Sequence, residues 1–78
     1  MTGPELKSKR SAAGISGVVL SRKVGISRSQ LSNIERSYIT PSHEEVARID
    51  AALDDLIRAK AVIQHAARSA GWPLGEVR

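Results

Sequence analysis

The chain has 78 residues, no cysteine, and twelve Lys and Arg against eight Asp and Glu, which gives a formal net charge of +4. A chain of this length forms one small domain with a limited core, and the lack of cysteine excludes disulfides and thiolate metal sites. With one Trp, one Tyr and no Phe, the core must be aliphatic, which suits packed helices better than a β-sandwich. We therefore predict an all-α fold. The amino terminus lacks the apolar core of a signal peptide and no run approaches membrane-spanning length, so we expect a soluble, cytoplasmic protein.

The first predicted helix begins at Thr2 and ends near Gly14. Thr2 and Glu5 have the spacing of a capping box, and Pro4 is tolerated in a first helical turn. Leu6 supplies an apolar position that this helix can bury.

Two short helical patterns follow, joined by a glycine. Ser16 can cap the first, and Ser27 with Gln30 forms a capping-box pattern for the second. Gly25 follows the first helix directly, at the position where a left-handed residue often ends a helix. The spacing therefore predicts a helix, a tight turn and a second helix that ends at about Glu35.

The second helix of this pair carries one apolar stripe, with Leu31 and Ile34 three residues apart. Its opposite face consists of hydrogen-bond donors and acceptors, which suits a groove of nucleic acid. The outward residues are Arg28, Ser29, Ser32, Asn33 and Arg36.

A long helix is predicted to begin at His43, after a loop that ends in Pro41. Ser42 and Glu45 form a third capping-box pattern, and apolar residues then recur at steps of three and four as far as Ala70, with Lys60 as the exception. The acidic pair at residues 54–55 either interrupts this helix or lies within a continuous or slightly bent one. The predicted organisation is a domain at 1–53, a helical extension at 54–71 and a tail at 72–78.

Charge is concentrated in the amino-terminal half. Residues 1–40 hold seven Lys and Arg against two Glu, whereas residues 41–78 hold five against six acids. The basic residues around the two short helices, with Lys7 and Lys9, form a candidate phosphate-facing surface, because release of counterions from phosphates drives much of DNA affinity. The alternative for any single residue is an ordinary solvated charge.

Residues from about Leu6 to Leu53 resemble the helix-turn-helix domain of the lambdoid phage repressor and Cro family, to which XRE-type transcriptional regulators belong. The resemblance rests on the run from Val24 to Glu35, on Pro41 and Ser42, and on Ile49 and Ala52-Leu53. It implies a compact fold of four to five helices with the second short helix in the major groove. The long carboxy-terminal helix exceeds what the domain of that family needs.

By the same resemblance, Arg28, Ser29 and Asn33 occupy positions that contact base edges, with Ser32 as a weaker candidate. Arg can bridge guanine O6 and N7, and Asn can pair with adenine N6 and N7. Arg10 and Glu35 occupy positions where the family often has a buried ion pair. The candidate phosphate contacts are Ser16, Arg22, Lys23, Ser27, Arg36 and Tyr38.

The chain also departs from the family pattern. Gly17 stands where a Gln commonly contacts phosphate and braces the recognition helix, and Ser21 replaces the usual Ala at the helix crossing. Val18 and Val19 occupy positions that tolerate polar residues, so at least one is expected to be exposed, either as a partner contact or as scattered surface. Ser37 replaces a frequent Gly.

The apolar seam beyond residue 53 has two interpretations. It either mediates dimerisation or packs within the monomer as a fifth helix. The dimer-interface candidates are Leu56, Ile57, Lys60, Ile63, Ala67 and Trp72.

The sequence argues against an enzyme and predicts no cofactor or metal. His43 and His65 are too far apart along a helix to share a metal at the usual spacing, and no glycine-rich phosphate loop is present. The favoured hypothesis is a transcriptional repressor that binds a palindromic double-stranded DNA operator as a homodimer. The alternative is an antitoxin-like module whose carboxy-terminal helix binds a partner protein, with autoregulatory DNA binding.

Overall fold

The structure is a computed structural model that describes the backbone of residues 1–69 and the side chains of residues 1–63. It contains four helices within that range: α1 (Gly3–Ala12), α2 (Gly17–Val24), α3 (Arg28–Glu35) and α4 (His43–Ser69). The described residues contain no strand, so the prediction of an all-α fold is confirmed. No helix in this part of the chain is both long and apolar enough to span a membrane.

Serine and threonine hydroxyls cap the helices as the sequence predicts, but among the described residues only one complete capping box forms. At α1, Thr2 Oγ1 accepts from the Glu5 amide and Glu5 Oε1 accepts from the Thr2 amide, which lowers the pKa of Glu5. Ser27 and Ser42 accept from the amides three residues on, at 3.0 and 3.1 Å. No reciprocal bond from Gln30 or Glu45 is among the described contacts. Water can satisfy these exposed groups at little net cost, so the boxes predicted there are corrected to simple N-caps.

The turn between α2 and α3 depends on Gly25. Its φ is +88°, in the left-handed region, and its amide donates to the Ser21 carbonyl oxygen at 2.9 Å. The Ile26 amide donates to the same carbonyl at 3.0 Å. These two bonds satisfy the end of α2 and reverse the chain, as the sequence predicts.

The core lies where α1 and α4 pack against the α2–α3 pair. Every helix contributes at least one fully buried aliphatic residue, so the short helices are held by tertiary packing rather than by their own propensity. The buried core residues are Leu6, Ile15, Leu20, Leu31, Ile34, Ile49, Ala52 and Leu53.

Helix α4 runs without interruption through Asp54 and Asp55. Lys9 Nζ of α1 lies 2.8 Å from Asp50 Oδ1 and 2.6 Å from Asp54 Oδ1, while Asp55 pairs with Arg58 one turn along the helix. Carboxylates held by cations in this way do not compete for backbone amides, which explains why the acidic pair does not break the helix.

This arrangement also corrects the place of Lys9 among the phosphate-facing cations. Hydrogen bonds to Asp50 and then to Asp54 raise the pKa of Lys9. Its charge is balanced within the monomer, on the side of α1 that faces α4.

The carboxy-terminal half of α4 leaves the core gradually. Leu56 and Ile57 are partly buried against the core. Lys60 Nζ donates to the Ala13 carbonyl oxygen at 2.7 Å. This places a positive charge at the carboxy-terminal end of α1, where it stabilises the helix. Ile63 is 67% exposed. The side chain of Ala67 lies outside the described residues, as do Trp72, the predicted helix end at Gly71 and the predicted tail at 72–78.

Candidate nucleic-acid interface

Helix α3 separates its side chains into a buried face and an outward face. Leu31, Ile34 and Glu35 are buried, with exposures of 4% or less. Arg28, Ser29 and Arg36 are exposed, and Ser32 and Asn33 are half-buried at the edge of that face. The structure thus brings all four candidate base-contacting residues and Arg36 onto one polar surface.

Ser21 is a small polar residue of α2 that is buried in the domain. It is 3% exposed, and its Oγ donates to the Val18 carbonyl oxygen of its own helix at 2.9 Å. Because the hydroxyl is satisfied within α2, Ser can stand at this position without leaving a buried polar atom unpaired.

An ion pair anchors the carboxy-terminal end of α3. Arg10 Nε donates to Glu35 Oε2 at 2.7 Å and Arg10 Nη2 donates to Glu35 Oε1 at 3.1 Å. A third bond, from Arg10 Nη1 to the Ile15 carbonyl oxygen at 2.8 Å, ties in the loop between α1 and α2. The Glu35 side chain is 3% exposed and that of Arg10 is 12% exposed. This two-point contact fixes α3 relative to α1 and thereby sets the direction of the outward face.

Gly3 contributes to the same anchor, and the sequence reasoning missed it. A Cβ at this position would lie 1.9 Å from the Ile34 carbonyl oxygen and 2.9 Å from its carbonyl carbon. The first turn of α1 therefore touches the backbone of α3 directly. A glycine at the first position of a helix is the only available signal, and by itself it does not identify a contact.

The segment that contains α2 and α3 exposes basic side chains and no acidic one. Arg22, Lys23, Arg28 and Arg36 are all exposed. Between Glu5 and Glu44 the sequence has a single acidic residue, Glu35, and that residue is buried against Arg10. No acidic side chain from this segment therefore offsets the four exposed cations.

The remaining phosphate-contact candidates lie at the ends of the two short helices. Ser16 Oγ and Ser27 Oγ each accept a backbone amide hydrogen bond, at 3.1 and 3.0 Å. Each hydroxyl still has its own hydrogen to donate to an external oxygen. Tyr38 follows α3 and is 73% exposed, so its hydroxyl is accessible. Its backbone amide donates to the Asn33 carbonyl oxygen at 2.8 Å.

A shallow apolar groove separates the second half of α4 from the start of α2. The groove is lined by Val19, Leu56, Lys60 and Ile63, together with the loop residues 14–16 between α1 and α2. Val18 and Val19 are 43% and 47% exposed, so both members of the valine pair reach the surface.

Among the described residues, no three His, Cys, Asp or Glu side chains come together as a possible metal site.

The sequence was compared with models of known protein families, with curated proteins and with solved structures. A family model for helix-turn-helix domains matches residues 6–56, about two thirds of the chain. Searches of curated proteins and of solved structures gave no significant match. The matched region contains α1 from Leu6 onward, the α2–α3 pair and α4 as far as Leu56. The chain belongs to the helix-turn-helix family of Cro/C1 (XRE) type, a family of DNA-binding transcription regulators.

Proposed function

We propose that the chain is a sequence-specific repressor that binds a palindromic DNA operator as a homodimer, with α3 in the major groove. The observation that carries the proposal is the charge arrangement around α3. Four exposed cations lie on α2, on α3 and directly after α3, whose outward face is polar, and the one acid of that segment is buried in an ion pair. Such a surface favours the phosphate backbone, and repression follows from occupancy of the operator. A regulator of this kind acts in the compartment that holds the DNA.

Base recognition is assigned to Arg28, Ser29 and Asn33, with Ser32 in a supporting position. These residues follow the N-cap of α3 within two helical turns, so a helix entering the groove by its amino-terminal end would present them to base edges. The phosphate contacts are assigned to the exposed residues Arg22 and Lys23 in the last turn of α2 and Arg36 directly after α3, with Ser16, Ser27 and Tyr38. Phosphate contacts fix the position of the protein on the duplex, and base contacts supply the specificity.

Replacing Asn33 by Ala is expected to relax base preference at one position of each half-site. A bidentate Asn–adenine contact contributes about 1–3 kcal/mol of discrimination, equivalent to roughly 5- to 150-fold. Selection of duplexes from a randomised pool measures the preference at every position.

The matched control is Lys23→Ala, which removes an exposed phosphate-contact candidate. It is expected to weaken binding to all sequences alike and to reduce the slope of log affinity against log salt by about 1. If the Asn33 variant selects the same sequence as the native chain with the same stringency, Asn33 does not contact bases.

Dimerisation is assigned to the second half of α4. Two recognition helices must enter successive major grooves about 34–36 Å apart, and a single helix contacts too few base pairs to be selective. Ile63 is 67% exposed on α4 and shares the apolar groove with Val19 and the half-buried Leu56. A second copy seated along this surface would bury apolar area that a monomer leaves in water.

The substitution Ile63→Asp is expected to weaken self-association by about 30-fold or more, the effect of a hot-spot residue, while leaving the fold of the monomer intact. Sedimentation of the purified chain measures the association. Val62→Asp is the matched control, because Val62 is 66% exposed and does not line the groove. A native chain that is monomeric when bound to its operator would contradict the homodimer.

The exposed apolar surface of α4 also suits the second candidate function, an antitoxin-like module. In that case α4 would bind a partner protein, and DNA binding would be autoregulatory. Sedimentation of the chain alone and with its own upstream DNA distinguishes the two. A folded dimer that binds this DNA favours the repressor, whereas a monomer whose segment 54–78 orders only with a partner favours the module.

A further inference from the structure

The side chain of Arg28 lies across the backbone of Gly17. A Cβ built at Gly17 would be 2.8 Å from both Cζ and Nε of Arg28 and 3.1 Å from Nη2. Gly17 is the first residue of α2 and Arg28 is the first residue of α3. At this point α2 and α3 are in contact, because the guanidinium group of Arg28 packs on the backbone of Gly17.

Space, and not backbone conformation, is what the glycine provides here. The glycines with positive φ in the described chain are Gly14 and Gly25, so Gly17 has an ordinary negative φ that any residue can adopt. Gly17 is nonetheless buried, and part of its cover is Arg28. Any larger residue at position 17 would occupy the volume in which the guanidinium now lies.

The position of the guanidinium has no strong electrostatic cause. The amino-terminal end of α2 carries a partial positive charge, which does not attract a cation. The described contacts contain no hydrogen bond or ion pair from the Arg28 side chain. The orientation therefore depends on the shape of the surface beneath it, and one added methyl group is enough to change it.

We propose that Gly17 is a specificity-determining position that sets the direction in which Arg28 points toward a base pair. The guanidinium is planar, with its donors in a fixed fork, so its direction decides which acceptors it can bridge. Gly17 touches no base itself and acts as a positioning residue. This inference rests on the proposed function, because it requires Arg28 to contact bases.

The test compares Gly17→Ala, Arg28→Ala and the double variant in selection from a randomised duplex pool. Gly17→Ala is expected to melt no lower than the native chain, because Ala favours a helix and only a flexible side chain must move. Its base preference is expected to change by about tenfold at one position of each half-site. In the Arg28→Ala background, Gly17→Ala is expected to cause no further change at that position.

Arg28→Lys is the control for charge, because it keeps the cation and removes the fork. It is expected to lose preference at the same base position while keeping the salt dependence of the native chain. The inference is overturned if Gly17→Ala leaves every base preference unchanged, or changes it equally with and without Arg28. A native chain that selects no sequence would overturn the proposed function itself, and this inference with it.

Discussion

Replacing Glu35 by Ala is expected to destabilise the domain by about 3–5 kcal/mol. The substitution leaves the Arg10 guanidinium, whose side chain is 12% exposed, with only its bond to the Ile15 carbonyl oxygen. Domains are commonly stable by only about 5–15 kcal/mol, and small ones lie near the lower limit. Thermal unfolding followed by circular dichroism should show a midpoint lower by about 12 °C or more, and DNA binding should fall with helicity.

A double variant distinguishes the cost of leaving one buried charge unpaired from the cost of removing the whole ion pair. Replacing both partners, as Arg10→Met with Glu35→Leu, removes the buried charges together and is expected to be less destabilising than Glu35→Ala alone. A melting midpoint for Glu35→Ala within a few degrees of the native value would show that the pair does not hold α3 in place.

Replacing Gly3 by Ala is expected to destabilise the domain through overpacking, which costs about 1–3 kcal/mol. We expect a loss at the upper end of that range. The new Cβ would lie 1.9 Å from the Ile34 carbonyl oxygen and 3.4 Å from the Glu35 Cα. Both are backbone atoms, so α1 must move away from α3 or lose its first turn. Either change disturbs the ion pair at Glu35. Denaturant unfolding measures the loss of free energy.

The same substitution at Gly17 is a matched control for this prediction. Gly3 and Gly17 are each the first residue of a helix, where Ala would ordinarily stabilise a helix relative to Gly. At Gly17 the three atoms nearest to the added Cβ all belong to the side chain of Arg28, which can move more easily than backbone. Gly3→Ala should therefore melt clearly lower than Gly17→Ala. Equal melting temperatures would contradict the close backbone contact between α1 and α3.

Local features of the sequence predicted the helices and the turn. Capping hydroxyls at Ser16 and Ser27 and the glycine at position 25 act within a few residues, so their effects follow from spacing alone. The continuity of α4 through Asp54 and Asp55 was harder to predict from the sequence. Lys9 pairs with Asp50 and Asp54 some forty residues later in the chain, and no local pattern specifies such a partner.

The site shows the same division. The polar face of α3 follows from helical spacing, because Leu31 and Ile34 determine which side is buried. The contacts that orient this face could not be derived from spacing. Gly3 and Gly17 both act through the space they leave for another helix, and the sequence contains no sign of what fills that space.

The central claim is that the outward face of α3 is the surface that meets DNA. Titration of the isotopically labelled chain with the selected duplex, followed by backbone amide chemical shifts, tests it most directly. We expect the largest shifts at Arg28, Ser29, Ser32 and Asn33 and at the first amides of α2. Residues of the apolar groove, such as Leu56 and Ile63, should change little once the protein is dimeric. Largest shifts along that groove, with α3 unchanged, would contradict the account.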